Sequence, residues 1–530
     1  MPSREHCVIP ELLSRQAARD PLRPLALFED GSQWTAVEAW QYTQRAAAAL
    51  VALGVQRGDH VLAWLPNGPD LLLTWFASNY LGAVLVPINT AYRGRLLAHV
   101  INQSGARLMV THAELLPRLT EVDVPLLQQV VVCGASILPE TPGRGWAMVP
   151  GACLHAAADA IPAAYPVQPW DTMMIIYTSG TTGPSKGVLN TYLQQYTVGQ
   201  VCFGYLGPDD RMLINLPMFH VGGTTAVMAM LSVGGSFALY DKFQTHAFWD
   251  QIRAVGATAI SGLLGAMVAF LDKNPVQPGD ADNPLQRVVL SPVTAQTFRL
   301  AERYGFDYLS GFNMTEVSVP LITDLNTRVQ SSCGRPRSGV ECRIVDEHDL
   351  PVADGVLGEL VVRADLPWTM NQGYYGMPEE TLAAWRNGWF HTGDLMTRDT
   401  EGNFFFVDRK KDAIRRRGEN ISSIEVEAEV GEFDAVAEVA AYAVRSEFGE
   451  DEVMVAVAPR PGLQVDPETL AHFLIPRMSR FMVPRYIRVL PALPKTPTNK
   501  VQKVQLRDEG VTADTWDREA AGLRLTRESI

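Results

Sequence analysis

The stretch YTSGTTGPSKGV, residues 177–188, decides how the rest of the chain is read. Its glycines at 180, 183 and 187 let the backbone take conformations closed to other residues and bring N–H groups close to a ligand. Thr178, Ser179, Thr181, Thr182 and Ser185 line it with hydroxyls, and Lys186 adds a mobile positive charge. The run MMII just before it reads as a strand, so the stretch leaves a sheet as a loop able to wrap phosphate groups. It departs from the Walker pattern, because Ser185 rather than glycine precedes Lys186. A plain surface loop is the other reading of Gly-rich sequence, and the ordered succession of hydroxyls, glycines and lysine favours the phosphate loop.

At 530 residues the chain exceeds one small core and is read as roughly three or four folding units. Apolar residues make up 47% and charged residues 19%, the balance of a compact globular protein. A formal net charge of −13 disfavours a nucleic-acid binder, which carries a basic face over its footprint. The cysteines at 7, 133, 153, 202, 333 and 342 form no CxxC pair and no metal-ligand spacing. They read as reduced thiols of a cytoplasmic protein. The start, MPSREHCVIPELL, lacks the apolar stretch of a secretion signal. Two uncharged stretches, 212–240 and 254–271, approach the length of a spanning helix. Asn215, Pro217, His220 and two Gly-Gly pairs in the first, and three glycines in the second, fit a buried strand–turn–helix core better. A soluble protein without a membrane span is expected.

From the N-terminus to about residue 325, helical and strand patterns alternate. TAVEAWQYTQRAAAALVALG has apolar residues at helical spacing and stops on Gly54, HVLAWLP reads as a buried strand, PDLLLTWFASNYLG as a helix and AVLVPI as a strand. That alternation implies α/β architecture, with parallel sheets covered by helices. Between about 325 and 408, short β runs such as ECRIVD, GELVVRA and GNFFFVDR suggest a small barrel-like or meandering sheet. Residues 421–506 suit a small α+β unit, and the last stretch is polar. The main boundary is placed at about 410, giving an N-terminal domain over 1–410 and a C-terminal lid over 411–530.

The 177–188 stretch resembles the phosphate-loop signature of the adenylate-forming superfamily: acyl-CoA synthetases, luciferases and the adenylation domains of peptide synthetases. Four further segments follow in the family's order: GFNMTE (311–316), GWFHTGD (388–394), DRKKDAIRRRGENIS (408–422) and PKTPTNKVQK (494–503). The resemblance implies a two-step reaction. A carboxylate attacks the α-phosphorus of ATP to give acyl-AMP and pyrophosphate, and a thiol then displaces AMP. An anion attacking a polyanion needs positioning and preorganised positive charge.

On this resemblance, Thr178, Ser179, Gly180, Thr181, Thr182, Gly183 and Lys186 would hold the ATP phosphates. Lys500 matches the lysine that bridges the carboxylate and α-phosphate, Thr315 the α-phosphate contact and Glu316 a Mg²⁺ ligand, as that ion favours one or two carboxylates plus phosphate oxygens. Gly311, Phe312 and Asn313 match the adenine segment, with the Phe312 ring open to either an adenine or a core role. Asp394 and Arg409 match the ribose contacts, and a turn-capping role for Asp394 is the alternative. Lys411 matches the hinge on which the lid turns, and Gly418, Glu419 and Asn420 the coenzyme A tunnel. Arg415, Arg416 and Arg417 read equally as coenzyme A phosphate contacts or as a solvated basic patch.

PMFHVGGTTAVMAM (217–230) resembles one wall of the acyl pocket, assigned to His220, Val221, Gly222, Gly223, Ser310 and Gly311, with His220 guarding the reacting carboxylate. Gly222 and Gly223 are expected to leave space for a bulky acid. The AFWDQIRAVGAT and RRRGENIS runs are most similar to crotonobetaine/carnitine–CoA ligase-like bacterial enzymes. The sequence departs from the family at Phe312-Asn313, at Asn499 before Lys500 and in the short VVLSPVTAQ, all of which bear on the adenine site more than on phosphate chemistry. The implied activity is an acid–thiol ligase using ATP, Mg²⁺ and coenzyme A on a small carboxylic acid. A carrier-protein phosphopantetheine as acceptor, a non-catalytic nucleotide-binding protein and a homodimer stay open at this point.

Overall fold

The structure is a computed structural model. It describes the chain except residues 136, 139–144, 157–160, 162–164, 179–184, 410–411, 413, 417–418, 422, 446–450, 479–481, 496–499, 524 and 526–530, and the side chains of 266, 415, 419 and 420.

Local sequence sets the elements, as the helix Ala36–Ala52 shows. The Thr35 side chain accepts from the Glu38 N–H at 3.3 Å while Glu38 accepts from the Thr35 N–H at 2.8 Å, a reciprocal capping box. Ala39, Thr43, Ala46, Ala47 and Leu50 form its buried face. The chain then turns at Gly54 with φ +88°, a left-handed conformation that favours glycine.

Seven strands build the first sheet, in the order Ala147–Pro150, Gln129–Cys133, Leu108–His112, His60–Trp64, Val84–Pro87, Thr172–Thr178 and Lys186–Thr191. Its neighbours are parallel except the last pair. The second sheet runs Leu263–Leu264, Arg287–Ser291, Ala259–Ile260, Arg211–Ile214, Ser236–Leu239, Pro24–Phe28 and Gln33–Thr35, with Asp307–Leu309 beside Arg287–Ser291. Only Pro24–Phe28 and Gln33–Thr35 are antiparallel in it.

One core joins the two sheets. Val61 and Ala63 of the first and Met212, Ile214 and Phe237 of the second pack on Trp75, Phe76, Val198, Val227 and Leu231 of three intervening helices. Two of these, Pro69–Tyr80 and Val221–Val233, are buried nearly all round, which is why their sequences carry so few polar residues. The uncharged stretch 212–240 is therefore a strand, a helix and a strand. Among the described residues no helix is long and apolar enough to cross a membrane.

An antiparallel sheet follows, starting earlier than expected, at Gly311–Phe312. Its path runs through Leu321–Ile322, Ser332–Pro336, Phe404–Arg409, Trp389–Arg398 and Gly358–Ala364 to Val340–Val345, with Trp385–Arg386 on Trp389–Arg398. A separate C-terminal domain has a four-stranded sheet of Val436–Arg445, Asp451–Pro459, Tyr486–Val489 and Thr515–Asp517. The polar end of the chain is thus structural: Thr515–Asp517 adds a strand, and the buried Arg518 donates to Leu523 O at 2.6 Å and Pro484 O at 3.3 Å. A three-residue strand and an arginine satisfied by carbonyls leave no periodic trace in sequence.

Candidate active site

In an α/β sheet, ligands gather at the carboxyl ends of parallel strands. Thr178 ends one such strand, His220 follows Arg211–Ile214, and Ser310 follows Asp307–Leu309. Lys186 opens the antiparallel return strand and pairs with Thr178 across it. The calls on Ser179, Gly180, Thr181, Thr182 and Gly183 lie outside the described residues. The far end of the loop is tied down: Ser185 is buried, and its carbonyl lies 2.9 Å from His99 Nε2. Gly187 is needed for close packing, because a Cβ there would stand 2.8 Å from Ile175 Cγ2.

Lys186 Nζ lies 4.7 Å above the ring of Tyr374, and the Tyr374 hydroxyl donates to Glu316 Oε1 at 3.2 Å. Glu316 is buried, which raises its pKa; hydrogen bonds from backbone and Tyr374, then the charges of Arg409 and Lys186, pull the other way. Asn371 fixes the Glu316 backbone, its N–H and Nδ2 donating to the same carbonyl at 3.0 and 2.8 Å. The preceding carbonyl, that of Thr315, accepts from Gln194 Nε2 at 3.0 Å. Tyr374, Asn371 and Gln194 were not legible as site residues. Tyr374 is 58 residues from Glu316 in sequence, and no motif spacing links them.

Asp394 and Arg409 face each other across an antiparallel pair and form an ion pair at 2.7 Å. Asp394 is fully buried; Thr392 Oγ1 accepts its N–H at 3.1 Å, and Glu359 Oε1 accepts the Gly393 N–H at 3.1 Å. The sheet register brings together two residues that lie fifteen apart in the chain.

His220 is the N-cap of the helix Val221–Val233 and packs against Phe219 with ring centroids 4.8 Å apart. Its pKa is pulled down to about 4, first by burial and then by the positive charge of Lys500, so the imidazole is neutral at physiological pH. Lys500 is itself held below the usual lysine range by desolvation and then by Arg409. Lys500 is exposed, and its charge acts on His220 and is acted on by Arg409, so the three lie within electrostatic reach of one another.

Several expectations change. Gly223 does not open acyl space in the way expected, since a Cβ there would lie 2.5 Å from Pro217 O, whereas at Gly222 only the tip of the Leu216 side chain comes near, at 3.1 Å. Gly223 lets the helix start approach the backbone of residues 216–217, and Val221 stands half-buried beside it. The Phe312 ring is buried among Val317, Leu321, Leu360 and Phe404, so its surroundings favour core packing over an adenine platform. Asn313 is exposed, and its Oδ1 accepts from the Val319 N–H at 2.9 Å. Gly311 serves strand pairing, as a Cβ there would meet Leu321 O at 2.7 Å. Ser310 is buried, and its hydroxyl has no hydrogen-bond partner among the described residues.

Arg416 is neither a solvated patch nor a free anion contact: it is buried and ion-paired with Glu452 at 2.7 Å. Lys411 and Gly418 lie outside the described residues. Glu419 and Asn420 sit in the strand Glu419–Ile421, opposite Arg416 and Arg415, and their side chains are not described.

Residues 13–375 match the model of the AMP-binding enzyme family, and residues 425–500 match that of the AMP-binding enzyme C-terminal domain. The chain belongs to the AMP-binding enzyme family. It is 31% identical over 478 residues to the crotonobetaine/carnitine–CoA ligase of Citrobacter koseri, covering 87% of this chain and 91% of that one. The Proteus mirabilis crotonobetaine/carnitine–CoA ligase is also 31% identical, over 489 residues, 90% of this chain and 93% of its own. Among solved structures, ATP-bound MatB from Rhodopseudomonas palustris superposes with a TM-score of 0.79 at 26% identity, over 94% of this chain and 98% of that one. The fold is likewise shared with O-succinylbenzoate coenzyme A synthetase from Bacillus subtilis in complex with AMP, at a TM-score of 0.80, 24% identity and the same coverage.

Proposed function

We propose that the protein is an ATP-dependent acyl-CoA ligase that converts a carboxylic acid to acyl-AMP with release of pyrophosphate and then to acyl-CoA. The observation that carries the reading is the mutual proximity of Lys186, Glu316, Asp394, Arg409 and Lys500, drawn from five separate sequence segments and two domains.

Each residue has a chemical part. Lys186 and the phosphate loop hold the β- and γ-phosphates. The Asp394 carboxylate accepts from the ribose hydroxyls, with Arg409 beside it. Neutral His220 lines the approach of the carboxylate without donating a competing positive charge. Lys500 lies between the carboxylate and the α-phosphate and offsets their repulsion as the oxygen–phosphorus bond forms and pyrophosphate departs. The Glu316 carboxylate, buried, braced by Tyr374 and facing Lys186, fits a Mg²⁺ ligand. That ion, when bound, neutralises phosphate charge. Coenzyme A thiolate then attacks the acyl carbonyl and AMP leaves.

Acid-dependent exchange of labelled pyrophosphate into ATP tests this, followed by thioester formation on adding coenzyme A. Exchange in the absence of any acid, or none with any acid, would sink the reading.

Tyr374 is assigned as a positioning residue, since its hydroxyl braces Glu316 and its ring lies under Lys186. Tyr374→Phe should slow adenylation about 10-fold or more, the order expected for one hydrogen bond to a charged group. Thioester formation from supplied acyl-AMP should stay at the parent rate, and the apparent affinity for Mg²⁺ should weaken. Equal slowing of both half-reactions would assign Tyr374 to folding instead.

A further inference from the structure

Between the strands Gly358–Ala364 and Trp389–Arg398 the register slips just where the candidate ribose contact lies. Glu359 stands opposite Leu395 and Val361 opposite His391, so Thr392, Gly393 and Asp394 share the place facing Leu360 alone. The surplus residues make a bulge, a device that bends a strand and re-aims the side chain it carries. Gly393 takes φ +69° within it, a left-handed conformation. Asp394 ends up fully buried, with its carboxylate against Arg409 at 2.7 Å.

Two side chains hold the bulge in shape. Thr392 Oγ1 donates to Leu360 O at 2.7 Å and accepts the Asp394 N–H at 3.1 Å. Glu359 reaches over from the neighbouring strand, and its Oε1 accepts the Gly393 N–H at 3.1 Å. That carboxylate is buried, which disfavours a charge unless partners face it. Here they do: Oε2 lies 3.5 Å from Arg386 Nη2 and 3.4 Å from Nδ1 of the buried His391. Arg386 is held in turn by Asp349, with Nε donating to Oδ2 at 3.2 Å and Nη2 to Oδ1 at 3.1 Å. A row of charges thus runs from Asp349 through Arg386 to Glu359 and ends on the peptide N–H directly before Asp394. A hydrogen bond to a charged acceptor is roughly twice as strong as a neutral one, so this brace fixes the Gly393 peptide more firmly than a neutral acceptor would. Packing does not do so, because no atom lies within 4 Å of where a Gly393 Cβ would stand.

We propose that Glu359 is a positioning residue for the nucleotide, which aims the Asp394 carboxylate at the ribose hydroxyls by fixing the Gly393 peptide. The inference rests on the ligase reading above and on its assignment of Asp394 to the ribose.

Calorimetry in the absence of any acid measures the Kd for ATP, 2′-deoxy-ATP and 3′-deoxy-ATP. The parent should bind ATP about 10-fold or more tighter than either analogue, the scale of one hydrogen bond to a charged group. Glu359→Ala should bring both ratios down toward one, chiefly by weakening ATP. Glu359→Gln keeps an oxygen within the same reach of the Gly393 N–H and should keep most of the preference. Glu359→Asp keeps the charge facing Arg386 but is one methylene short of Gly393, and should lose the preference as alanine does. A Glu359→Ala protein that weakens all three nucleotides by the same factor, or that keeps the parent's ratios, overturns the inference. If that variant does not fold, the other two decide, and like ratios in Glu359→Gln and Glu359→Asp overturn it. A parent that binds the three nucleotides equally takes Asp394 off the ribose and the inference falls with it. Acid-dependent pyrophosphate exchange, measured separately, then shows whether the ligase reading itself stands.

Discussion

Lys500→Ala should reduce acyl-AMP formation by about 10²–10³ or more, the usual loss when one preorganised electrostatic donor is removed. After burial, which is the larger cause in each case, the charge of Lys500 lowers the pKa of His220 and that of Arg409 lowers the pKa of Lys500, so the three groups act on one another here. Thioester formation from supplied acyl-AMP should survive, because the approach of a carboxylate to the α-phosphate, which Lys500 is assigned to assist, is not part of that step. Rapid-quench measurement of each half-reaction separates the two outcomes. Parallel loss of both would remove Lys500 from the adenylation step and assign it to holding the lid together. Beside Lys500, Gln502 N–H donates to Pro494 O at 2.8 Å and Gln502 Nε2 to Lys495 O at 2.7 Å.

Lys411→Pro should have the opposite signature: acyl-AMP formation within a few-fold of the parent, and thioester formation reduced by about 10²-fold or more, the scale on which misplacement of reacting groups is felt. In this structure the charge of Lys500, in the C-terminal domain, acts on His220 of the large domain. The Gly418–Asn420 segment must replace it if a thiol is to reach the acyl carbonyl, and the rotation has to be absorbed close to residue 411. On one side Arg409 is locked into the antiparallel sheet and paired with Asp394 at 2.7 Å. On the other, Asp412 is tied to Arg507 of the lid at 2.8 Å. Between two anchored residues, few backbone angles are left to turn, and proline fixes one of them. Full thioester turnover in this variant would move the hinge elsewhere.

The two predictions draw on the sequence to different extents. Lys500, Glu316, Asp394 and Lys186 were each singled out as candidates from short motifs, because phosphate chemistry demands particular residue types close to particular glycines and hydroxyls. The alternation from the N-terminus to about residue 325 was legible because helix and strand impose different apolar spacings. Tyr374, Asn371 and Gln194 were not, since each acts through a contact between segments far apart in the chain. Gly223 was misread as open space: a missing side chain looks the same in sequence whether a ligand or a neighbouring backbone fills the gap. The basic run at 415–417 was ambiguous for a related reason, as the acid that neutralises Arg416 is Glu452, on the neighbouring strand Asp451–Pro459.

By itself the sequence determined the family, the reaction type and the order of the domains, because these depend on local spacing and on residue chemistry. Only the tertiary structure decided which side chains brace Glu316, that Phe312 belongs to the core and that Arg416 is buried against Glu452. Those are questions of what stands beside what, and burial and electrostatic pairing are set by distances through space that chain order does not contain.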